Sequence, residues 1–299
     1  MHPFQQFFQQ VINGIVIGSI YSLVALGYTM VFGILGFINF AHGDVYMLGT
    51  FLGLILLGTG RFSFTAALVG SAILTGIVGV AIEKACYKPI RRFGKGFEDT
   101  TLVAAIGVSI FLETLALILW GSETHPMGGG LHRIAYHFWG LRVSSVQITI
   151  VVVAVALMAM LQLFVKHTVT GAAMRATSQN MAAARLMGIG VNHIIAITFA
   201  IGSVMAAVGG MLVGSYFDAV YPMMGWTTGI PAFTAAVVGG VGSLPGAMIA
   251  GVLIGLIESL GSAYISSEFR AGFAFIILII TLLFMPQGFF KAKKGEGKV

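Results

Sequence analysis

The stretch FINFAHGDVYML, residues 37–48, decides the fold. It places Asn39, His42 and Asp44 within six residues, between the apolar segments 23–35 and 49–57. A stretch bounded in this way sits at membrane depth. Polar and ionisable groups are costly there, so they face a bundle interior, a cavity or a pathway. Gly36, Gly43 and Gly49 punctuate the stretch and allow a helix to break or a neighbouring backbone to come close. Two readings compete. One is a solvated interfacial loop between ordinary spans. The other, favoured by the general behaviour of interrupted transmembrane helices, is a helix broken at membrane depth.

Composition supports the membrane setting. The chain has 299 residues, 58% of them hydrophobic and only 9% charged, with a mean hydropathy of +0.97. A soluble domain carries about 25% charged residues. No run of alternating ten-residue strands occurs, which argues against a β-barrel. The glycines fit tightly packed helices: Gly14 and Gly18, Gly49 and Gly53, Gly210 and Gly214, and Gly251 and Gly255 are all GxxxG pairs. Such pairs specify packing and say nothing of substrate.

The formal charge of +6 raises nucleic acid or anionic lipid as partners, but position argues otherwise. Five basic residues lie in 84–95, three in 166–185 and four in 291–298, each cluster flanking apolar sequence. This is the positive-inside pattern, so all three belong in the cytosol and no nucleic-acid partner is expected. Cys86 is the only cysteine, so no intrachain disulfide forms. The first ten residues contain no Lys or Arg, unlike the start of a cleaved signal peptide, and are expected to stay in the mature chain.

In order, full spans are expected at 11–32, 64–82, 102–120, 146–165, 194–216 and 271–285, with a basic loop at 83–99 and a polar outer segment at 121–144. Residues 217–229 read as a loop anchored by Tyr221 and Trp226 at the interface. Parity then requires 231–262 to begin and end on the outer side. It suits two half-helices meeting at GGVGSLPG, with Gly242 and Pro245 at the bend. Gly36, Asn39 and Gly43 match Gly239, Gly242 and Gly246 in spacing, a faint repeat. The side of the N-terminus stays open; it is cytosolic if both interrupted segments re-enter. The expected fold is an all-α polytopic membrane protein, one domain over 1–299, with about six full spans and two interrupted or re-entrant segments. A cytosolic segment at 166–193 and a basic cytosolic tail at 289–299 complete it.

The chemistry is that of a conduit. No G-x-x-x-x-G-K-[ST] occurs, so the chain presents no P-loop, and GGVGSLPG has no lysine. His125, His132 and His137 share no helical face and no close cysteine or carboxylate, so they read as an outer loop, not metal ligands. Glu113 and Glu258 lie within or near spans and are candidates for lining a path, though Glu258 is near enough to a helix end to reach the interface. Asn39, His42 and Asp44, with Gly242 and Ser243, are expected to line or gate a route at the two breaks. No Ser-His-Asp or Cys-His set has a convincing context, so no enzyme is expected.

Residues 166–193 carry more information. Residues 172–177 and 181–187 look helical, with Ser178 or Asn180 as a cap. Met181, Ala184, Leu186 and Met187 offer a partly apolar surface, suited either to a groove in a cytosolic partner or to the membrane surface. NFAHGDVYMLGT, the Ala183-Ala184-x3-Gly188 segment and AFTAAVVGGVGSLPGAMIAG together resemble the LivH-type permeases of branched-chain amino acid ATP-binding-cassette importers. The resemblance runs from Ile17 to Gly288.

That resemblance implies a multi-pass subunit of the bacterial inner membrane that moves leucine, isoleucine or valine inward. It implies as partners a second, LivM-like permease, two cytosolic ATPase subunits that bind the ATP and magnesium, and a periplasmic binding protein. No cofactor is expected in this chain. Ala183, Ala184, Leu186 and Gly188 would form the contact with the ATPases. The usual leading glutamate of that motif is Ala182 here, which removes the basis for an ion pair but leaves the small-residue helix and glycine turn. Related permeases carry urea or short amides. An ion-coupled secondary transporter or channel using Asp44, Glu113 or His42 is the alternative of another class.

Overall fold

The structure is a computed structural model. It describes residues 3–91, 97–128, 131, 134–138 and 140–290. Its axis is α1, Pro3–Leu35, a helix buried without a break from Val16 to Val31. At about 1.5 Å per residue it is about 50 Å long, more than the hydrocarbon core of about 30 Å. Against it lies α11, Leu244–Tyr264, running antiparallel. The first and last GxxxG pairs form this contact. A Cβ at Gly18 would lie 2.7 Å from the Val252 Cα, and one at Gly14 would lie 2.8 Å from the Leu256 Cα. Hydrocarbon tails are as apolar as leucine, so close van der Waals contact of backbones, not burial from water, drives this pairing.

After α1 the chain breaks at 36–41 and resumes as α2, His42–Gly58. This helix packs parallel to α9, Val191–Phe217, using the two middle GxxxG pairs. Gly49 faces Ala207, Gly53 faces Met211, and Gly210 faces Thr50. The third helix, α3, Phe64–Ile82, starts on a Ser63 cap whose hydroxyl accepts from the Ala66 N–H. It does not end at the expected loop. Residues 83–87 form a π-turn and Lys88–Ile90 a further short turn, α4. The basic loop is therefore shorter than expected: Gly94 and Gly96 lie outside the described residues, and Asp99 lies within α5, Phe97–Trp120.

The outer segment contains an antiparallel hairpin, β1 (Ala135–Phe138) and β2 (Leu141–Ser144), the one sheet among the described residues. It feeds α6, Ser145–His167, through a capping box of Ser144 and Gln147. Two short helices follow, α7 (Val169–Gln179) and α8 (Met181–Leu186). After α9 comes a tight turn on Asp218, in the left-handed region at φ 53°. Its carboxylate accepts from the Met127 N–H at 3.0 Å. The loop here is short, because α10, Met224–Val238, already contains Trp226. The second break falls at 239–243, inside GGVGSLPG as expected. Its two arms are unequal, since α11 is long enough to cross a membrane by itself. The last helix is α12, Arg270–Phe284.

Among the described residues, six helices are long and apolar enough to cross a membrane. The fold is the expected all-α polytopic one. Five of the six spans fall where the sequence put them; the sixth is α11, and α12 is a shorter apolar helix.

The two ends of the bundle are distinguished by contacts. At one end Arg91 reaches Asn192 at the start of α9, and α7 adjoins the C-terminal turns of α1. The basic residues Lys84, Lys88, Lys166, Arg175 and Arg185 gather at this end, the one that the positive-inside rule assigns to the cytosol. At the other, Gln9 exchanges two hydrogen bonds with the Arg142 backbone on β2. The N-terminus therefore lies at the end opposite the basic residues, the outer end on the same rule. The first interruption does not return the chain to its starting side, because α2 carries it across to the outer end where α3 begins.

Candidate translocation and coupling site

The first break is a group of buried polar side chains. Asn39 is buried, and its side-chain carbonyl accepts a 2.7 Å hydrogen bond from the Tyr87 hydroxyl. Tyr87 is placed by the π-turn, a distortion often found at functional positions. His42 stands in the first turn of α2, edge-on to the Tyr28 ring at 4.6 Å, with its Nε2 against Gly27. That nitrogen has no hydrogen-bond partner among the described residues. Asp44 accepts a short hydrogen bond from Ser109 of α5. Glu113, one turn further along α5, is near enough to interact electrostatically with Asp44. A carboxylate in the first turn of α2 is also favoured by the positive end of the helix dipole.

Asp44 borders a cavity of about 270 Å³ between α2, α10 and α12, walled by Tyr28, Phe40, Trp226 and Phe233. The second break borders a different one. Gly242 takes a φ of 88°, and the Ser243 hydroxyl caps α11 by accepting from the Gly246 N–H at 3.2 Å. Gly242 lines a cavity of about 400 Å³ at the cytosolic end, between α1, α7 and the α10–α11 turn. Of the five residues expected on one route, Asp44 borders one of these cavities and Gly242 the other, while Asn39, His42 and Ser243 line neither.

At 166–193 Asn180 is the cap, its side chain accepting from the Ala183 N–H at 3.0 Å. Gly188 ends α8 with a φ of 81°. Ala183 is exposed, and Leu186 and Met187 are 89% and 82% exposed. Ala184 points the other way and is 4% exposed, so it packs on its own chain and leaves Leu186 and Met187 as the outward apolar face.

The remaining candidates have structural partners. Glu258 does not reach the interface: it is buried, ion-paired with Arg270, and Arg270 stands over the Phe217 ring. His125 pairs its backbone with Val220, and its Nε2 lies 2.9 Å from the Trp120 carbonyl. His137 is exposed on β1, and His132 lies outside the described residues.

Sequence reading missed Tyr28 and Ser109, which look like ordinary members of apolar helices, and Tyr87, which falls in the expected basic loop. It also missed the buried pair of Glu83 and Arg91. An acid followed by a base eight residues on, at the end of a span, was the available signal.

Comparison with known proteins agrees with this architecture. Residues 10–282 match the family model described as branched-chain amino acid transport system / permease component. The high-affinity branched-chain amino acid transport system permease protein LivH of Escherichia coli K12 is 38% identical, over 95% of this chain and 96% of that protein. BraD of Pseudomonas aeruginosa, with the same description, is 38% identical over 96% and 97%. A probable LivH of Methanocaldococcus jannaschii is 28% identical over 92% and 90%. With the family model matching most of its length and relatives 38% identical from end to end, the chain belongs to the family of branched-chain amino acid transport permease components.

Proposed function

We propose that this chain is one membrane half of an inner-membrane importer driven by ATP, carrying branched-chain amino acids from periplasm to cytosol. The observation that supports it most is the full-length similarity to LivH and BraD at 38% identity, which spans both breaks and the cytosolic helices. Its partners are a second LivM-like permease, two ATPase subunits that hold ATP and magnesium, and a periplasmic binding protein. ATP is hydrolysed on other chains, so its free energy reaches this one through physical contact. The exposed face of α8, Leu186 and Met187, with Ala183 and the Gly188 turn, is that contact; Ala184 supports it from beneath. Asn39, His42 and Asp44 lie on the route at the first break, and Gly242 and Ser243 at its cytosolic end.

The test is reconstitution of the five-subunit system in proteoliposomes. Leucine uptake should require ATP, both ATPases and the binding protein. Uptake by this chain alone on a proton gradient would overturn the reading in favour of a secondary transporter. Uptake of urea or acetamide, but not leucine, with the cognate binding protein would replace the substrate class. Leu186→Glu with Met187→Glu should abolish co-purification of the ATPases while the permease still inserts. Retention of the ATPases by that double variant would move the coupling contact elsewhere, with 84–99 the next segment to test.

A further inference from the structure

The cytosolic cavity has features that a passive exit does not require. Its walls come mainly from three parts of the fold: the last turns of α1, the helices α7 and α8, and the α10–α11 turn. Its volume, about 400 Å³, falls within the range of about 300–1,000 Å³ usual for small-molecule sites. Thr29 lines it, is 1% exposed, and its hydroxyl has no hydrogen-bond partner among the described residues. A buried hydroxyl without a partner is costly. A polar ligand in the cavity would supply one.

The lining matches a zwitterion with an apolar side chain. Arg175 supplies the positive charge, and its Nη1 is tied to the Val165 and Lys166 carbonyls, which fixes the guanidinium at the wall. A guanidinium has five N–H donors, so these bonds leave donors for a carboxylate. The C-terminal turn of α1 supplies the opposite pole. Of its last carbonyls, that of Phe32 is met by the Gly36 N–H. A helix leaves its final carbonyls without intrahelical partners, and that end of the dipole favours a cation such as an ammonium. Met174, Met181 and Leu244 provide adaptable apolar wall between the two poles.

We propose that this cavity binds the imported amino acid from the cytosolic side, and that occupancy holds the coupling helices against the α10–α11 turn. The proposal rests on the importer reading above. A ligand touching all three elements favours the arrangement in which they surround it, by the difference in its affinity for that arrangement and the next. Cytosolic product therefore slows the ATPase cycle.

The experiment uses the whole complex in nanodiscs, with the binding protein kept saturated. Raising free leucine from micromolar to about 20 mM should lower stimulated ATP hydrolysis at least twofold, the size expected of a modest coupling energy. Leucine amide, lacking the carboxylate, and N-acetyl-leucine, lacking the ammonium, should not inhibit. Thr29→Val and, separately, Met181→Trp should each raise the half-inhibiting concentration about fivefold or more, within the range of such couplings. In a Cys86→Ser, Ser178→Cys variant, leucine should slow maleimide labelling. ATP hydrolysis and labelling both indifferent to leucine, in a complex that still imports it, would overturn the cytosolic site and leave the importer reading intact. Equal inhibition by leucine amide would overturn the role given to Arg175.

Discussion

The chain is interrupted at 36–41 and at 239–243, and the two interruptions are held in different ways. At the first, the glycine has room: a Cβ at Gly36 would meet nothing within 4 Å. Order there comes from side chains, Tyr87 on Asn39 and Ser109 on Asp44. At the second, glycine meets backbone. A Cβ at Gly246 would lie 1.9 Å from the Gly239 carbonyl oxygen, and one at Gly240 would lie 2.3 Å from that of Phe290. The segment after α12 closes over this turn, with the Phe289 N–H bonded to the Val238 carbonyl at 2.9 Å. Both solutions satisfy irregular backbone where water is scarce. One uses polar side chains that also carry charge into the bundle; the other uses close packing that leaves no room for a Cβ at Gly239, Gly240 or Gly246. A polar break can take part in recognition. A glycine break acts as a hinge or seal whose tolerance to change is low.

Substitutions separate the two. The largest effect is expected at the packed break. Gly246→Ala should cost about 3 kcal/mol of stability, because a methyl against backbone cannot be relieved by a rotamer change. Thermal unfolding in detergent measures it, and an unchanged melting temperature would show the turn to be loose. At the polar break Asp44→Asn keeps an acceptor for Ser109 and removes only the charge. Leucine uptake should fall about tenfold, equivalent to about 1.4 kcal/mol, with subunit assembly unaltered. Normal uptake would make Asp44 a purely structural residue.

Tyr87→Phe should destabilise by about 1.5 kcal/mol, since it leaves the buried Asn39 carbonyl without its donor. In an Asn39→Leu background the same change should cost much less. Additive effects of the two would mean the hydrogen bond does not matter. Gly36→Ala should cost about 1 kcal/mol, the penalty of positive φ alone; a loss as large as at Gly246 would erase the contrast between the breaks. The smallest effect is no effect on stability at all. Cys86 adjoins Tyr87, so its accessibility reports the side on which the first break opens. An impermeant maleimide should label it only after cells are opened, and labelling of intact spheroplasts would invert the assigned orientation.

Much of this was legible in the sequence because it is local. Apolar runs of membrane length, the interruptions in FINFAHGDVYML and GGVGSLPG, a cap at Ser178 or Asn180 and the Gly188 turn each depend on residues a few positions apart. So does the existence of GxxxG faces. Their pairing does not: that Gly14 and Gly18 meet α11 while Gly49 and Gly53 meet α9 depends on partners more than 150 residues away. The equal spacing of Gly36, Asn39 and Gly43 with Gly239, Gly242 and Gly246 did not translate into equal backbone, since Gly36 has positive φ and Gly239 does not. The sequence by itself determined the class, the places where helices stop, and which residues are polar in an apolar setting. Only the tertiary structure decided that Ala184 faces inward, that Glu258 is neutralised by Arg270, that the N-terminus lies at the end opposite the basic residues, and that Asp44 and Gly242 border different cavities. The reason is physical: helix formation and termination follow from hydrogen bonds across three or four residues, whereas the fate of a polar side chain depends on which distant surface arrives beside it.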